Sequence, residues 1–135
     1  MKSAQVIAVD REFKILIADR NRNVRKLLQR ELFGAGYLVT LAGEDRELIR
    51  QVQDQDTVDL LILDPDLPSS LSITALITSL HECQPGLPIV IYTFPNDEFN
   101  YSDLPGVAVC LEKGEDISLV KKAVTEVIKN YYSTC

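Results

Sequence analysis

The most constraining feature of this 135-residue sequence is a regular alternation of short β-prone runs with segments that carry apolar residues at helical spacing. Between the runs, apolar residues recur every three to four positions, as in Leu28, Leu32 and Ala35. Strands joined by helical crossovers predict a parallel sheet covered on both faces. The five β-prone runs are 13–18, 37–42, 58–63, 89–93 and 107–112.

This alternation predicts a doubly wound α/β domain of the (βα)5 type. The run 58–63 is the most apolar, so we expect it to be a central strand buried on both faces. The segment 94–105 is rich in proline and asparagine, which leaves room only for a short or irregular fourth helix. We expect an N-terminal extension or tail over 1–12, a domain over 13–131 and a C-terminal tail over 132–135. Within the first segment, Gln5–Asp10 can form an extra edge strand or a mobile tail.

The composition argues against several classes of function. No apolar run approaches the roughly 18 residues of a membrane span. Twenty acidic residues against fourteen basic ones argue against binding to nucleic acid or to anionic lipid. The widely spaced Cys83, Cys110 and Cys135 are typical of reduced thiols in a cytoplasmic protein. His81 and Cys83 form an isolated pair, which is too small a ligand set to predict zinc.

Four polar residues stand where predicted strands stop: Asp19, Asp64, Thr93 and Lys113. The carboxyl ends of parallel strands share one edge of the sheet, where ligands bind, so we expect these residues to converge there. Their chemistry fits together, because a carboxylate can accept a phosphoryl group, a second carboxylate can help to hold Mg²⁺, and an ammonium group can contact phosphoryl oxygens. The sequence therefore predicts an aspartyl-phosphate site.

With these motifs, the sequence resembles the receiver domain of two-component response regulators from residue 13 to about 130. The resemblance rests on 15–19 (ILIAD), 60–68 (LLILDPDLP), 92–93 (YT) and 111–113 (LEK), in this order and at intervals close to those of the family. It implies a flavodoxin-like five-stranded sheet with strand order 2-1-3-4-5.

The resemblance also implies a role for each matching residue. Asp64 takes the position of the phosphoacceptor, and Asp19 that of a metal-binding acidic residue. The backbone carbonyl of Asp66 takes the position of a further Mg²⁺ ligand. Thr93 supplies the switch hydroxyl, and Lys113 the amine that contacts the phosphoryl group. The family's own chemistry is limited to self-phosphorylation and dephosphorylation at the acceptor.

One departure from the family changes the charge of the predicted site. Arg20 stands where the family has a second metal-site carboxylate, so we expect Mg²⁺ to bind more weakly. The guanidinium can instead pair with Asp64 or Asp19 and hold the site in one state, or it can point into solvent. Asn21 is a possible substitute ligand, so phosphorylation is expected to be impaired and not abolished.

Three further positions depart from the family's pattern. Phe94 follows the switch hydroxyl where a small residue is common, Cys110 stands at the aromatic switch position, and Gly114 replaces a proline. Together with Arg20 and the irregular fourth helix, they favour a receiver that binds its partner without phosphorylation. The fourth helix normally forms part of the family's signalling and dimerisation face, so the resemblance does not carry over the family's output or its dimer. We expect a monomer or a weak dimer.

The sequence leaves three hypotheses for the function. The first is a single-domain receiver that is phosphorylated by a histidine kinase or phosphotransfer protein and acts through a separate output protein, since no output domain is expected after residue 130. The second is a pseudo-receiver that binds its partner without phosphorylation. The third is a phosphatase of the haloacid-dehalogenase type, because Asp64-Pro65-Asp66 resembles its DxD motif. Leu67, where that family usually has Thr or Val, argues against it.

Overall fold

The computed structural model describes residues 12–54, 58–95 and 99–133. Over these ranges, five β-strands alternate with helical segments. The strands are β1 (Lys14–Ala18), β2 (Leu38–Ala42), β3 (Leu60–Leu63), β4 (Ile89–Thr93) and β5 (Val107–Glu112). The α-helices are α1 (Arg22–Gly34), α2 (Asp45–Asp54), α3 (Ile73–Cys83) and α4 (Ile117–Tyr132).

The strands form one parallel sheet in the order β2-β1-β3-β4-β5. The predicted doubly wound (βα)5 fold with this flavodoxin-like strand order is therefore confirmed. The register places Ala18, the last residue of β1, beside Ala42 and Leu63, the last residues of β2 and β3. Strands that end level with one another bring the residues that follow them to one edge of the sheet.

Each face of the sheet packs against its own pair of helices. Helices α1 and α4 cover one face through buried residues such as Leu28, Leu32 and Val124. Helices α2 and α3 cover the other face, where Leu48 and Leu76 are buried. All four residues of β3 are buried, as its apolar sequence predicts for a central strand.

Side-chain caps fix where three of the helices begin. The side-chain oxygen of Asn21 accepts hydrogen bonds from the main-chain N–H groups of Asn23 and Val24 at the start of α1. Ser72 caps α3 and Asp116 caps α4 in the same manner. Because Asn21 follows β1 by only three residues, the helix begins next to the edge at which the strand ends.

The connection between β4 and β5 is the irregular part of the fold. Among its described residues, the only helical element is the 3-10 turn Tyr101–Asp103, which confirms the short, irregular fourth helix. The edge strand β5 is only partly covered, and Cys110 on it is exposed. The segments 1–11, which includes the predicted extra strand, and 134–135 lie outside the described residues. No helix in the described part combines the length and apolar character needed to cross a bilayer.

Candidate functional site

Two aspartates lie side by side where the central strands end. Asp19 donates its main-chain N–H to the carbonyl of Ala42 (N···O 3.1 Å), and Asp64 donates its own to the carbonyl of Ala18 (2.8 Å). These bonds continue the hydrogen-bond ladders of β1 and β3 by one residue and fix the main chain of Asp19 and Asp64. Both residues are only 1% exposed. The predicted pair of strand-end carboxylates is thus buried at the carboxyl edge of the sheet.

Lys113 reaches both carboxylates from the end of β5. Its Nζ lies 2.8 Å from Oδ2 of Asp19 and 3.4 Å from Oδ2 of Asp64. The ammonium also lies 5.8 Å from the ring centre of Tyr92 and 5.7 Å from that of Phe94, within the range of cation–π attraction. We call Asp19, Asp64 and Lys113 the inner cluster. It holds two buried carboxylates and one buried ammonium group, and it therefore has an excess of one negative charge.

Arg20 supplies a second positive charge from the outer side of the site. Its Nε lies 3.6 Å from Oδ2 of Asp64, and its Nη2 lies 3.7 Å from Oδ2 of Asp66. The main-chain N–H of Arg20 also donates to Oδ2 of Asp64 (N···O 3.3 Å). The side chains of Arg20 and Asp66 are 48% and 55% exposed, and we call these two residues the rim pair. Of the orientations left open by the sequence, the structure has Arg20 paired with Asp64 and Asp66, whereas Asp19 pairs with Lys113.

Burial affects the protonation of Asp19 in the inner cluster. Burial raises the pKa of Asp19, although hydrogen bonds from Lys113 and from the main-chain N–H of Asn21 oppose the increase. The negative charge of nearby Asp64 raises the pKa of Asp19 further. Two carboxylates in one dehydrated site thus compete for the single buried ammonium.

The residues of the site fit Mg²⁺ poorly. Among the described residues, no group of three or more His, Cys, Asp or Glu side chains is arranged to hold a metal ion. The carboxylate oxygens already have partners in the chain, because Oδ1 of Asp64 accepts from the main-chain N–H of Asp66 and Oδ1 of Asp19 from that of Asn21. Mg²⁺ requires near-octahedral oxygen ligands, and Arg20 places a guanidinium against Oδ2 of Asp64, one of the oxygens that the ion would use.

Asn21 does not have a free side chain to replace the missing ligand. Its Oδ1 accepts two main-chain hydrogen bonds in the first turn of α1. Its main-chain N–H is bonded to Asp19. The side chain that the sequence suggests as a substitute ligand therefore serves as a helix cap.

The remaining predicted residues lie around this centre at different distances from it. Thr93 ends β4, and its carbonyl accepts the main-chain N–H of Lys113 (2.8 Å), which aligns the lysine with the site. Phe94 is 58% exposed and covers one side of the ammonium. Gly114 has φ of +96°, so the turn after Lys113 requires a residue without Cβ strain. Cys110 pairs in register with Ile91 on the edge strand, away from the carboxylates.

The isolated pair of His81 and Cys83 lies in α3, and the structure gives the histidine a packing role. Nε2 of His81 lies 3.0 Å from the carbonyl oxygen of Leu87. The imidazole packs against Gly106, where an added Cβ would lie 2.0 Å from Cε1 of the ring. Cys83 is exposed at the end of α3. The histidine thus joins α3 to the turn that leads into β5.

Two supporting residues are not predicted by the sequence pattern. Nη1 of Arg25 in α1 donates to the carbonyl of Asp19 (2.6 Å) and fixes the backbone of the inner cluster from outside. Asp45, at the start of α2, accepts from the hydroxyl of Ser69 (2.8 Å) and from the main-chain N–H of Ser70 (3.3 Å). It thereby holds the loop that follows Asp64. An acidic residue in the first turn of α2 is visible in the sequence, but its partners lie in a distant loop.

Comparison with solved structures identifies the same fold in receiver domains. A CheY-like response regulator receiver domain protein from Methanospirillum hungatei matches 90% of this chain and 97% of its own, with a TM-score of 0.80 and 20% identity. A two-component response regulator from Clostridium difficile matches 90% of this chain and 100% of its own, with a TM-score of 0.80 and 23% identity. At these identities, the likeness concerns the fold alone.

Sequence comparison extends the likeness beyond the fold. The chain is 27% identical over 121 residues to the CAI-1 autoinducer sensor kinase/phosphatase CqsS of Vibrio cholerae. This match covers 88% of the chain and 17% of the relative, so the chain spans a small part of that protein. The sequence profile of the response regulator receiver domain matches residues 15–130. The chain therefore belongs to the family of response regulator receiver domains of two-component signalling.

Proposed function

We propose that the chain works as a receiver module in which Asp64 accepts a phosphoryl group from a histidine kinase or a phosphotransfer protein. In this proposal, the phosphorylated chain passes the signal on by contact with a separate protein in the cytoplasm. The observation that carries the proposal is the inner cluster, where the carboxylate of Asp64 is buried at the sheet edge with the ammonium of Lys113 3.4 Å away.

The chemistry required of these residues is limited. An oxygen of the Asp64 side chain attacks phosphorus, the new O–P bond forms, and the P–N bond to the donor imidazole breaks with the electron pair leaving on nitrogen. Negative charge is spread over the phosphoryl oxygens in the transition state, and catalysis depends on positioned cations. Lys113 is placed to contact one of these oxygens. Thr93 is proposed as the hydroxyl that responds to the new group.

A second candidate function is favoured by one specific observation. The guanidinium of Arg20 lies 3.6 Å from Oδ2 of Asp64 and 3.7 Å from Oδ2 of Asp66. With Lys113 and Arg20 both present, the charges of Asp19 and Asp64 are balanced by the chain itself. Such a site suits a pseudo-receiver, which binds its partner in one fixed state and takes up Mg²⁺ and a phosphoryl group weakly.

The phosphatase hypothesis draws no support from Asp66. Its mechanism needs the second carboxyl group of the DxD motif as a general acid beside the substrate. The carboxylate of Asp66 is instead 55% exposed and lies 3.7 Å from the guanidinium of Arg20, which already occupies it as an ion-pair partner.

The two receiver hypotheses are separated by intact-mass detection of phosphorylation with phosphoramidate as the donor, with and without Mg²⁺. The variants are Asp64→Asn, with Asp66→Asn as its neighbouring control, and Arg20→Asp. Arg22→Asp makes the same change of charge two residues away, on an exposed position. All proteins are compared with the wild type at equal donor concentration.

A phosphorylating receiver gains one phosphoryl mass in the wild type and in Asp66→Asn, and none in Asp64→Asn. A pseudo-receiver gains none in the wild type, while Arg20→Asp becomes modified in the presence of Mg²⁺ and Arg22→Asp does not. Modification that persists in Asp64→Asn would contradict the assignment of the acceptor.

A further inference from the structure

The two oxygens of the Asp64 carboxylate have different surroundings. Oδ1 accepts the main-chain N–H of Asp66 at 2.9 Å, an ordinary hydrogen-bond distance. Oδ2 faces three nitrogen atoms, which are Nζ of Lys113 at 3.4 Å, Nε of Arg20 at 3.6 Å and the main-chain N of Arg20 at 3.3 Å. All three distances exceed the about 2.8 Å of a short charge-assisted hydrogen bond. Of the two oxygens, Oδ2 is thus the less tightly bonded one and the one that faces positive charge.

The two cations at Oδ2 differ in how closely they are bound to other groups. Nζ of Lys113 lies 2.8 Å from Oδ2 of Asp19, which is its closest ion-pair partner. The guanidinium of Arg20 makes longer contacts, at 3.6 Å to Asp64 and 3.7 Å to Asp66, and its side chain is 48% exposed. Arg20 is therefore the cation that can turn toward a group arriving from solvent without breaking a short, buried ion pair.

A phosphoryl group on Oδ2 needs more positive charge than the carboxylate alone. It brings about two negative charges and three acceptor oxygens. Lys113 can contact one of these oxygens while it stays bonded to Asp19. A guanidinium presents its N–H donors in a planar fork that matches two phosphoryl oxygens at once. The position of Arg20 beside Oδ2 thus suits the oxygens that Lys113 does not reach.

The same position conflicts with a divalent ion. The guanidinium of Arg20 faces the oxygen of Asp64 that such an ion would use, and like charges repel at this distance. The Oδ1 atoms of Asp19 and Asp64 each accept a main-chain hydrogen bond. Arg20 would have to turn away before Mg²⁺ could bind there, so the chain's own cation and the ion are alternatives at Oδ2.

We propose that Arg20 is a catalytic residue that contacts the transferred phosphoryl group in place of a divalent ion, so that Asp64 accepts the group without Mg²⁺. Oδ2 of Asp64 forms the new bond to phosphorus, and the P–N bond of the donor breaks with its electron pair on the leaving nitrogen. When the donor is phosphoramidate, the nitrogen leaves as ammonia, and both cations keep their protons. Arg20 and Lys113 stabilise the negative charge that is spread over the phosphoryl oxygens.

This inference rests on the proposed function, because it requires Asp64 to be the acceptor, and it adds the cation and the metal requirement. The two can fail separately. A wild type that is modified at Asp64 only with Mg²⁺ would overturn the role of Arg20 and leave the acceptor in place. A wild type that is not modified under any condition would overturn the proposed function and this inference with it.

Rates of phosphorylation by phosphoramidate, followed by intact mass in EDTA or in Mg²⁺, test the proposal on the full chain. Arg20→Gln removes the charge and keeps the main-chain N–H that faces Asp64. Arg20→Lys keeps the charge and removes the planar fork. Arg20→Asp supplies a third carboxylate, the type of ligand that Mg²⁺ prefers. Arg22→Gln is the matched control, because it removes the same charge at an exposed position two residues away.

We expect the wild type and Arg22→Gln to be modified at rates within twofold of each other, in EDTA as in Mg²⁺. Arg20→Gln should be at least about tenfold slower in EDTA, since a lost contact to charge that develops in the transition state lowers the rate by about that much or more. Arg20→Lys should lie between the two. Arg20→Asp should be at least about tenfold faster in Mg²⁺ than in EDTA.

Binding of Mg²⁺ gives a second readout that does not depend on phosphorylation. Isothermal titration calorimetry with MgCl₂ should give an affinity at least about tenfold lower for the wild type than for Arg20→Asp, and Arg22→Gln should match the wild type. Three results would each overturn the proposal: equal affinities of the wild type and Arg20→Asp, loss of wild-type modification in EDTA, and an unchanged rate of Arg20→Gln in EDTA. Far-UV circular dichroism checks that the variants keep their helices.

Discussion

The inner cluster and the rim pair each place a positive charge against the carboxylate of Asp64, yet the two cations differ in their surroundings. Lys113 has a side chain that is 6% exposed and approaches Asp19 to 2.8 Å, whereas Arg20 has a side chain that is 48% exposed and approaches Asp64 to 3.6 Å. A buried cation cannot be replaced by water when it is removed, whereas a half-exposed one can. Burial therefore decides which contact stabilises the fold and which mainly alters the chemistry of the site.

The strongest test of this difference is Lys113→Met. It leaves Asp19 and Asp64 buried without their common partner, and removal of one member of a buried ion pair costs about 3 kcal/mol or more of unfolding free energy. Urea unfolding at pH 7 measures the loss. Lys121→Met, which removes a 40% exposed lysine paired with Glu31, serves as the control and should cost less than about 1 kcal/mol. Equal losses of unfolding free energy in Lys113→Met and Lys121→Met would show that burial does not strengthen the contribution of the inner cluster to stability.

A second test uses the pH dependence of stability. The folded-state pKa of Asp19 lies above its ordinary value of 3.8, so Asp19 favours the folded state most below pH 3.8, and this contribution is lost as pH rises through the raised pKa. Asp19→Asn abolishes the effect. Between pH 7 and pH 4, the unfolding free energy of the wild type should therefore rise relative to that of Asp19→Asn as the pH falls.

Asp45 is the control for this experiment, because its pKa is shifted in the opposite direction. The hydrogen bond from Ser69 holds the pKa of Asp45 below 3.8. Its contribution to stability is present above pH 3.8 and is lost only as pH falls through the lowered pKa. The difference between the wild type and Asp45→Asn should thus stay constant between pH 7 and pH 4. A constant difference for Asp19→Asn as well would contradict the raised pKa of Asp19.

The smallest effect is expected at the rim. Arg20→Gln removes a half-exposed guanidinium but keeps the main-chain hydrogen bond from residue 20 to Asp64. The unfolding free energy should change by less than about 1 kcal/mol in urea unfolding, similar to Arg30→Gln, which breaks the surface pair with Glu31. If Arg20→Gln lost as much unfolding free energy as Lys113→Met, Arg20 would stabilise the fold as strongly as the buried lysine does, and the distinction by burial would be wrong.

The sequence predicts the inner cluster well because the signals are local. A strand of four to six residues is recognisable from its composition, and the residue after it must lie at the edge of the sheet, as Asp19 and Asp64 do. The sequence leaves Arg20 open between Asp64, Asp19 and solvent, because its long side chain has several carboxylates within reach; the structure pairs it with Asp64 and also with Asp66. The bond from Arg25 to the carbonyl of Asp19 leaves no signature in the sequence, since any main-chain carbonyl can accept it.

In the less regular parts of the chain, the sequence also predicts local structure better than it predicts contacts between distant segments. Prolines and asparagines after Phe94 correctly predict a short, irregular fourth helix, and in the described part of this connection the 3-10 turn Tyr101–Asp103 takes its place. The hydrogen bond from Ser69 to Asp45 joins two segments that are 24 residues apart. Such contacts depend on how the helices pack, which periodicity alone does not determine.

The position of Asp19 and Asp64, one residue beyond their strands, has a consequence for which changes of length the chain can tolerate. A residue inserted within β1 or β3 would shift every later side chain of that strand to the opposite face and turn the aspartate away from Lys113. A residue inserted between Asn100 and Gly106 would lengthen a surface connection and leave the strand ends level. Insertions and deletions that preserve the site are therefore expected to accumulate between β4 and β5, and to be rare in the central strands.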